Sequence, residues 1–182
     1  MIDKVDIRQI VVDHLRTLRA PGAERQSVED LSVFYGVPLF AGLLYLLFSG
    51  SPAVGNKIDE VLVSSFSVFA ALLLNIQVFL LGFQVPTSQS AADTELGVED
   101  RALIEKKDDM RRTFYRELFS NISYAILLAM GIVVITLIAI FCQIDQSRIV
   151  KLIQFILIMH FALTLLMVMK RVHVLFVAIR GR

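Results

Sequence analysis

Four long apolar runs, with nearly every charge confined to the segments between them, restrict what this chain can fold into. They cover residues 31–48, 61–83, 118–142 and 149–169. Each is close to or above the roughly 20 residues with which a helix crosses a hydrocarbon core about 30 Å thick. The first three contain no Asp, Glu, Lys or Arg, and the fourth carries only Lys151, in its first turn. From that position the lysine stem can follow apolar surface while the ammonium snorkels to the headgroups. A soluble four-helix bundle would show a polar stripe on each helix instead. With 56% of its residues hydrophobic, the chain also exceeds the roughly 45–50% usual for a soluble domain. The expected fold is all-α: four transmembrane helices with an N-terminal amphipathic helix and cytoplasmic helical extensions, assembled as an oligomer.

Orientation follows from the Lys and Arg content of the connecting segments. Residues 1–26, the loop 84–117 and the tail 170–182 together hold fifteen basic residues. The two short connections hold three: Lys57, Arg148 and the bordering Lys151. Both termini and the large loop are therefore expected on the cytoplasmic side of a bacterial inner membrane. The first 30 residues are charged and lack the pattern of a cleavable signal. Formal net charge is +1, so no global bias draws the chain to nucleic acid.

The chain divides into an arm, residues 1–26, and a membrane domain, residues 27–182. In the arm, Ile7, Ile10, Val11, His14, Leu15 and Leu18 share one face of a helix, with Asp13 and Arg16 elsewhere on it. Such a helix can pack against the assembly or lie in the interface plane. Pro21-Gly22 ends it, and Ser27 with Asp30 resembles a capping box ahead of the first apolar run. Pro38, flanked by Gly36 and Gly42, predicts a kink in that run. From about Glu99 helix formers run without Gly or Pro into the third span; unbroken to Cys142, that helix has about 44 residues and is about 66 Å long. Leu103, Met110, Phe114 and Leu118 form a seam along its charged half. The fourth run likewise continues without a breaker to Gly181.

Polar side chains in hydrocarbon need partners, so each is a candidate for function. On the second span Ser64, Ser67, Ala71 and Asn75 lie on or beside one face, with Gln77 nearby; the third carries Asn121 and Thr136, and the fourth His160. These eight residues are the candidates to line a water path in an oligomer. The alternative use of such small and weakly polar faces is close helix packing. Arg16 and Arg19 on the arm, with Lys106, Lys107, Arg111 and Arg112 on the loop, could converge on an anionic nucleotide or oligonucleotide. Solvated helix faces are the alternative there.

Enzymatic readings find no support: there is no metal-spaced His/Cys/Asp cluster, no Gly-rich phosphate loop and no Gly-x-Ser-x-Gly. The lone Cys142 offers neither a disulfide nor a ligand set, and neither metal nor cofactor is expected. His14 is placed on a packing face rather than as a base.

The opening residues Ile2-Asp3-Lys4, then Ile7-Arg8-x-Ile10-Val11-x-Asp13-His14-Leu15-x-Thr17-Leu18-Arg19, and later Asp30-Leu31 with Phe34-Tyr35-Gly36-Val37-Pro38-Leu39, carry a resemblance. They resemble small multi-span bacterial membrane proteins of anti-phage defence loci, and the match covers about the first 40 residues. The resemblance implies an oligomeric membrane-disrupting or channel-forming effector, as in the Hailong system; almost no external domain, a helical base and polar intramembrane faces make the expectation a homo-oligomeric, tetramer-like gated channel or depolarising pore. The resemblance equally implies a membrane sensor or scaffold that recruits a soluble partner protein, as in the Kiwa system. It assigns no role to any single residue.

Overall fold

The computed structural model describes residues 7–17, 32–48, 57–82, 98–144 and 147–180, and for 98–111 and 174–180 the backbone alone. Every regular element among them is helical. We number these α1 (Ile7–Thr17), α2 (Val37–Phe48, entered through a π-helical turn at Ser32–Gly36), α3 (Lys57–Gly82), α4 (Val98–Phe141) and α5 (Arg148–Arg180). Ser27, Asp30 and Arg19 lie outside the described residues, as do the side chains of Leu103 and Met110.

Three helices, α3, α4 and α5, contain stretches long and apolar enough to cross a membrane. The first apolar run is shorter in the fold: twelve α-helical residues after the π turn, about 18 Å at 1.5 Å per residue. Alone it falls short of a 30 Å core. The π turn stands where a kink at Pro38 was expected, because Pro38 lacks an N–H and sits beside the turn that absorbs the irregularity.

The long helix runs unbroken for 44 residues. It ends at Phe141 in a Schellman-type turn. Ile144 N–H reaches back to Ala139 C=O at 2.9 Å, Gln143 N–H to Ile140 C=O at 3.1 Å, and Gln143 holds φ at 56°.

Packing follows heptad spacing, the pattern that keeps one stripe of a helix against its neighbour. On α3 the stripe comprises Asp59, Leu62, Phe66, Ala70, Leu73, Gln77 and Leu80, all buried or half-buried. It lies against α4, whose Leu118, Ile122, Ala125, Ala129, Ile132 and Ala139 are buried. The alanines let backbones approach, which matters where lipid tails are as apolar as leucine and only close packing separates protein from lipid. The other flank of α4 meets α5 and α1, and α2 runs along α5. Gly42 of α2 permits that approach: a Cβ there would lie 2.7 Å from Ile156 Cγ1. Tyr45 and Phe155 stack beside it, ring centroids 5.2 Å apart.

The bundle has two distinct ends. At one, the arm end, Thr17 of α1 meets Asn121 of α4 and Arg171 of α5. At the other, the far end, the first turns of α3 and α5 meet through Asp59 and Lys151.

Candidate functional site

Four of the eight residues expected to line a path, Gln77, Asn121, Thr136 and His160, hydrogen-bond to other side chains of the bundle instead. Asn121 and Thr136 are fully buried and His160 nearly so. Thr136 accepts from Gln154 Nε2 at 3.0 Å and donates back to Ile132 C=O at 2.8 Å. Gln77 donates to Ser123 Oγ at 2.8 Å, tying α3 to α4. The small face of the third span is thus a contact between helices.

His160 lies at the centre of a junction of α1, α2, α4 and α5. Its Nδ1 stands 3.2 Å from Phe34 C=O, which can only accept, so Nδ1 carries the proton. Nε2 is then the acceptor for the Tyr124 hydroxyl at 2.8 Å. Phe34 lies in the π turn ahead of Pro38, which offers its carbonyl no N–H in an α-helical pattern. A proline visible in the sequence was therefore the signal for the histidine's partner. Tyr124 in turn stacks on His14, ring centroids 3.9 Å apart and nearly parallel.

His14 is the arm's contribution. It is fully buried, with Nδ1 2.9 Å from Asn121 Oδ1. The Thr17 hydroxyl lies 2.7 Å from both Asn121 Oδ1 and His14 C=O, so its single proton serves one at a time. Arg171 closes the site from α5, donating to Thr17 C=O and to Glu117 Oε2, the latter at 2.7 Å. His14 Nε2 and Asn121 Nδ2 are buried without partners among the described residues. Burial pushes the imidazole of His14 down to about 4; the Asn121 bond opposes this, while His160 and Arg171 lower it further. The arm therefore packs against the bundle, and His14 is an interface residue.

The far end holds a charged cluster that the pattern of runs did not reveal. Lys151 does not reach toward the headgroups: its Nζ bonds both oxygens of Asp59 at 2.7 Å, with the carboxylate side chain 1% exposed. Gln154 Nε2 adds a 3.3 Å contact to Asp59 and bridges to Thr136. Asp59 had been assigned to a short connection, yet helix α3 begins two residues before it, at Lys57, and points it inward. Helical periodicity extended back from Phe66 through Leu62 to Asp59 would have found it.

The remaining candidates stay on the outside. Ser64, Ser67, Ala71 and Asn75 are exposed on the side of α3 opposite its packed stripe. Ser64 donates to the Glu60 carbonyl one turn back, at 2.8 Å, which satisfies a hydroxyl in an apolar setting. Asn75 has no such partner among the described residues. Among the basic candidates, Arg16 is exposed and pairs with Asp13 at 3.4 Å, and Arg112 is exposed. The side chains of Lys106, Lys107 and Arg111 lie outside the described residues, as does Arg19. Groups of three or more His, Cys, Asp or Glu fit to hold a metal do not occur among the described residues.

No family model, curated protein or solved structure matches the chain.

Proposed function

We propose that the protein is a homo-oligomeric membrane effector of anti-phage defence that forms a gated ion channel or depolarising pore. In this reading copies assemble so that the α3 stripe of Ser64, Ser67, Ala71 and Asn75 lines a water path. The observation that carries it is Asn75: an exposed primary amide on a membrane-length helix, facing away from its own bundle. It lies about 10 Å from the Gly82 end of a helix about 39 Å long, within the hydrocarbon depth. An amide facing lipid there costs about 2 kcal/mol or more. Water or the amide of another copy removes that cost. Asn121, Thr136 and His160 are engaged inside the bundle, so the path is assigned to α3 alone.

Four membrane crossings with both termini cytoplasmic are part of the proposal. The support is the route of the chain: Thr17 lies at the arm end and Lys57 begins α3 at the far end. Between them in sequence, α2 runs beside α5. The positive-inside rule puts the arm end in the cytoplasm, where an anionic cue or a partner protein can reach it.

The test uses Cys142→Ser as background, with single cysteines at Ser64, Ala71 and Asn75, and planar-bilayer conductance of the purified protein. Water-soluble thiol reagents should label all three in a conducting preparation and leave Phe69→Cys unmodified. Protection at all three in a preparation that conducts excludes α3 as the lining. A second reading, a sensor or scaffold recruiting a soluble partner, draws on the amino-terminal part of α4, which continues for about 30 Å before the apolar segment. Absence of conductance together with specific partner capture through that segment would favour it.

A further inference from the structure

Helix α1 reaches the bundle through polar groups more than apolar ones. Its only buried residues are His14 and Thr17, whereas Ile7 and Val12 are exposed and Ile10, Val11 and Leu15 half-buried. The contacts holding those two are the Asn121 amide, the Arg171 guanidinium and the face of Tyr124. An interface of that kind is strong while each donor meets an acceptor. It fails when a buried group changes its hydrogen-bonding role.

We propose that α1 is a latch on the arm end of the bundle, docked while His14 is neutral and released when His14 takes up a proton. The latch names a regulation of the proposed channel, and it rests on that reading only for its link to gating.

The geometry sets the direction of the switch. A neutral His14 has one N–H, and Asn121 Oδ1 accepts it. The protonated ring has two, and the second, at Nε2, meets no acceptor among the described residues. Turning the Asn121 amide over does not help: Nδ1 then faces an NH2 group, and Nε2–H remains stranded.

The charges around the ring also oppose protonation. On α1 itself Asp13 is paired with Arg16 on the exposed side. From α4 come Tyr124, stacked on the ring, and Glu117, which Arg171 occupies at 2.7 Å. From α5 come the Arg171 cation and His160, and α2 presents Phe34 and Tyr35. No carboxylate among the described residues is free to receive an imidazolium there. The docked ring, held at about 4, refuses a proton that the released ring accepts at its ordinary value of about 6.5. Docking is therefore full above pH 6.5 and is lost as pH falls toward 4. Tyr124 and His160 transmit the loss, since the ring stacked on His14 is hydrogen-bonded to the histidine that holds α2.

The experiment reads arm position directly. Spin labels go on Gln9→Cys and Thr113→Cys, both exposed positions, in the Cys142→Ser background. The full chain is placed in nanodiscs and diluted with unlabelled protein. At pH 7.5 one narrow distance is expected. From pH 6.5 to 4 the docked-to-released ratio should fall by up to tenfold per pH unit, roughly 80-fold over that window. His14→Asn puts a non-titrating amide N–H where Nδ1 stands and should stay docked throughout. Thr17→Val keeps the imidazole but loses one clasping bond, and should release at a higher pH than the parent. An unchanged distance down to pH 4 overturns the latch, and so does acid release of His14→Asn matching the parent's. If His14→Asn is already undocked at pH 7.5, Thr17→Val decides: release at or below the parent's pH overturns the latch. Conductance rising in step with release supports the gating role, and conductance with the arm still docked overturns it. Bilayers silent at every pH count against the channel, while the distances still decide the latch.

Discussion

Replacing Lys151 with methionine tests whether the far end of the bundle is held by a buried ion pair. Lys151 Nζ stands 2.7 Å from both carboxylate oxygens of Asp59. At an effective dielectric of about 20, unit charges about 4 Å apart attract by about 4 kcal/mol. Removing the lysine strands a carboxylate whose side chain is 1% exposed, leaving only the 3.3 Å contact from Gln154. Breaking a buried pair in this way costs about 3–5 kcal/mol, whereas replacing both partners with apolar groups is often neutral or stabilising. Lys151→Met should therefore lose about 3–5 kcal/mol, and Asp59→Leu with Lys151→Met should recover most of it. The two changes thus couple by roughly 3 kcal/mol, far beyond the few tenths expected of independent sites. Reversible unfolding in mixed micelles, or steric trapping in bicelles, measures all four corners of the cycle. A loss below about 1 kcal/mol for Lys151→Met alone would refute the reasoning, since a stranded buried charge cannot cost so little.

Two glycines of similar sequence context should respond oppositely. Gly42→Ala drives a Cβ to 2.7 Å from Ile156 Cγ1 and 3.2 Å from Leu152 Cδ1, and the stiff χ1 of isoleucine gives little relief; unfolding should show a net loss of about 1–3 kcal/mol, recovered in part by Ile156→Ala. Gly131→Ala meets nothing within 4 Å and should stabilise α4 by up to about 1 kcal/mol through helix propensity, read in the same unfolding experiment. Reporter fusions after Arg182 should read cytoplasm and those at Gly55 exterior, and reversal at either position would overturn the four-crossing topology.

Features carried by local pattern were legible in the sequence. The 44-residue helix follows from a stretch whose sole potential breaker is Gly131, and helix interiors tolerate one glycine at about 1 kcal/mol. The packing of α1 was one of two alternatives open from its mixed charge, and the structure selects it. What the sequence hid were partners distant along the chain. His14 finds Asn121 107 residues away, and Lys151 finds Asp59 92 residues away. Run boundaries drawn at the first charge separated Asp59 from the helix that carries it. The first run also hid a detail: residues 31–48 look like a regular span, and within them the π turn and Pro38 leave twelve α-helical residues. Hydropathy counts apolar residues and cannot detect that some of them are used at a turn.

The two ends of the bundle are held by interactions of very different strength, and that asymmetry bears on which way α3 can move. At the far end α3 is fixed by a buried ion pair to α5, reinforced through Gln154 to Thr136 on α4. At the arm end its one described polar tie is Gln77 to Ser123, a part-buried neutral bond. Such bonds between membrane helices average about 0.6 kcal/mol, several-fold less than the loss expected on breaking the ion pair. The junction of His14, Tyr124 and His160 joins α1, α2, α4 and α5 and leaves α3 out. Were α3 to pivot about that clamp, the largest displacement would fall at Gly82; Asn75 lies in the half away from the clamp, whereas Ser64 lies nearer to it. Any widening of a path along the α3 stripe would therefore begin at the arm end, the same end at which α1 docks.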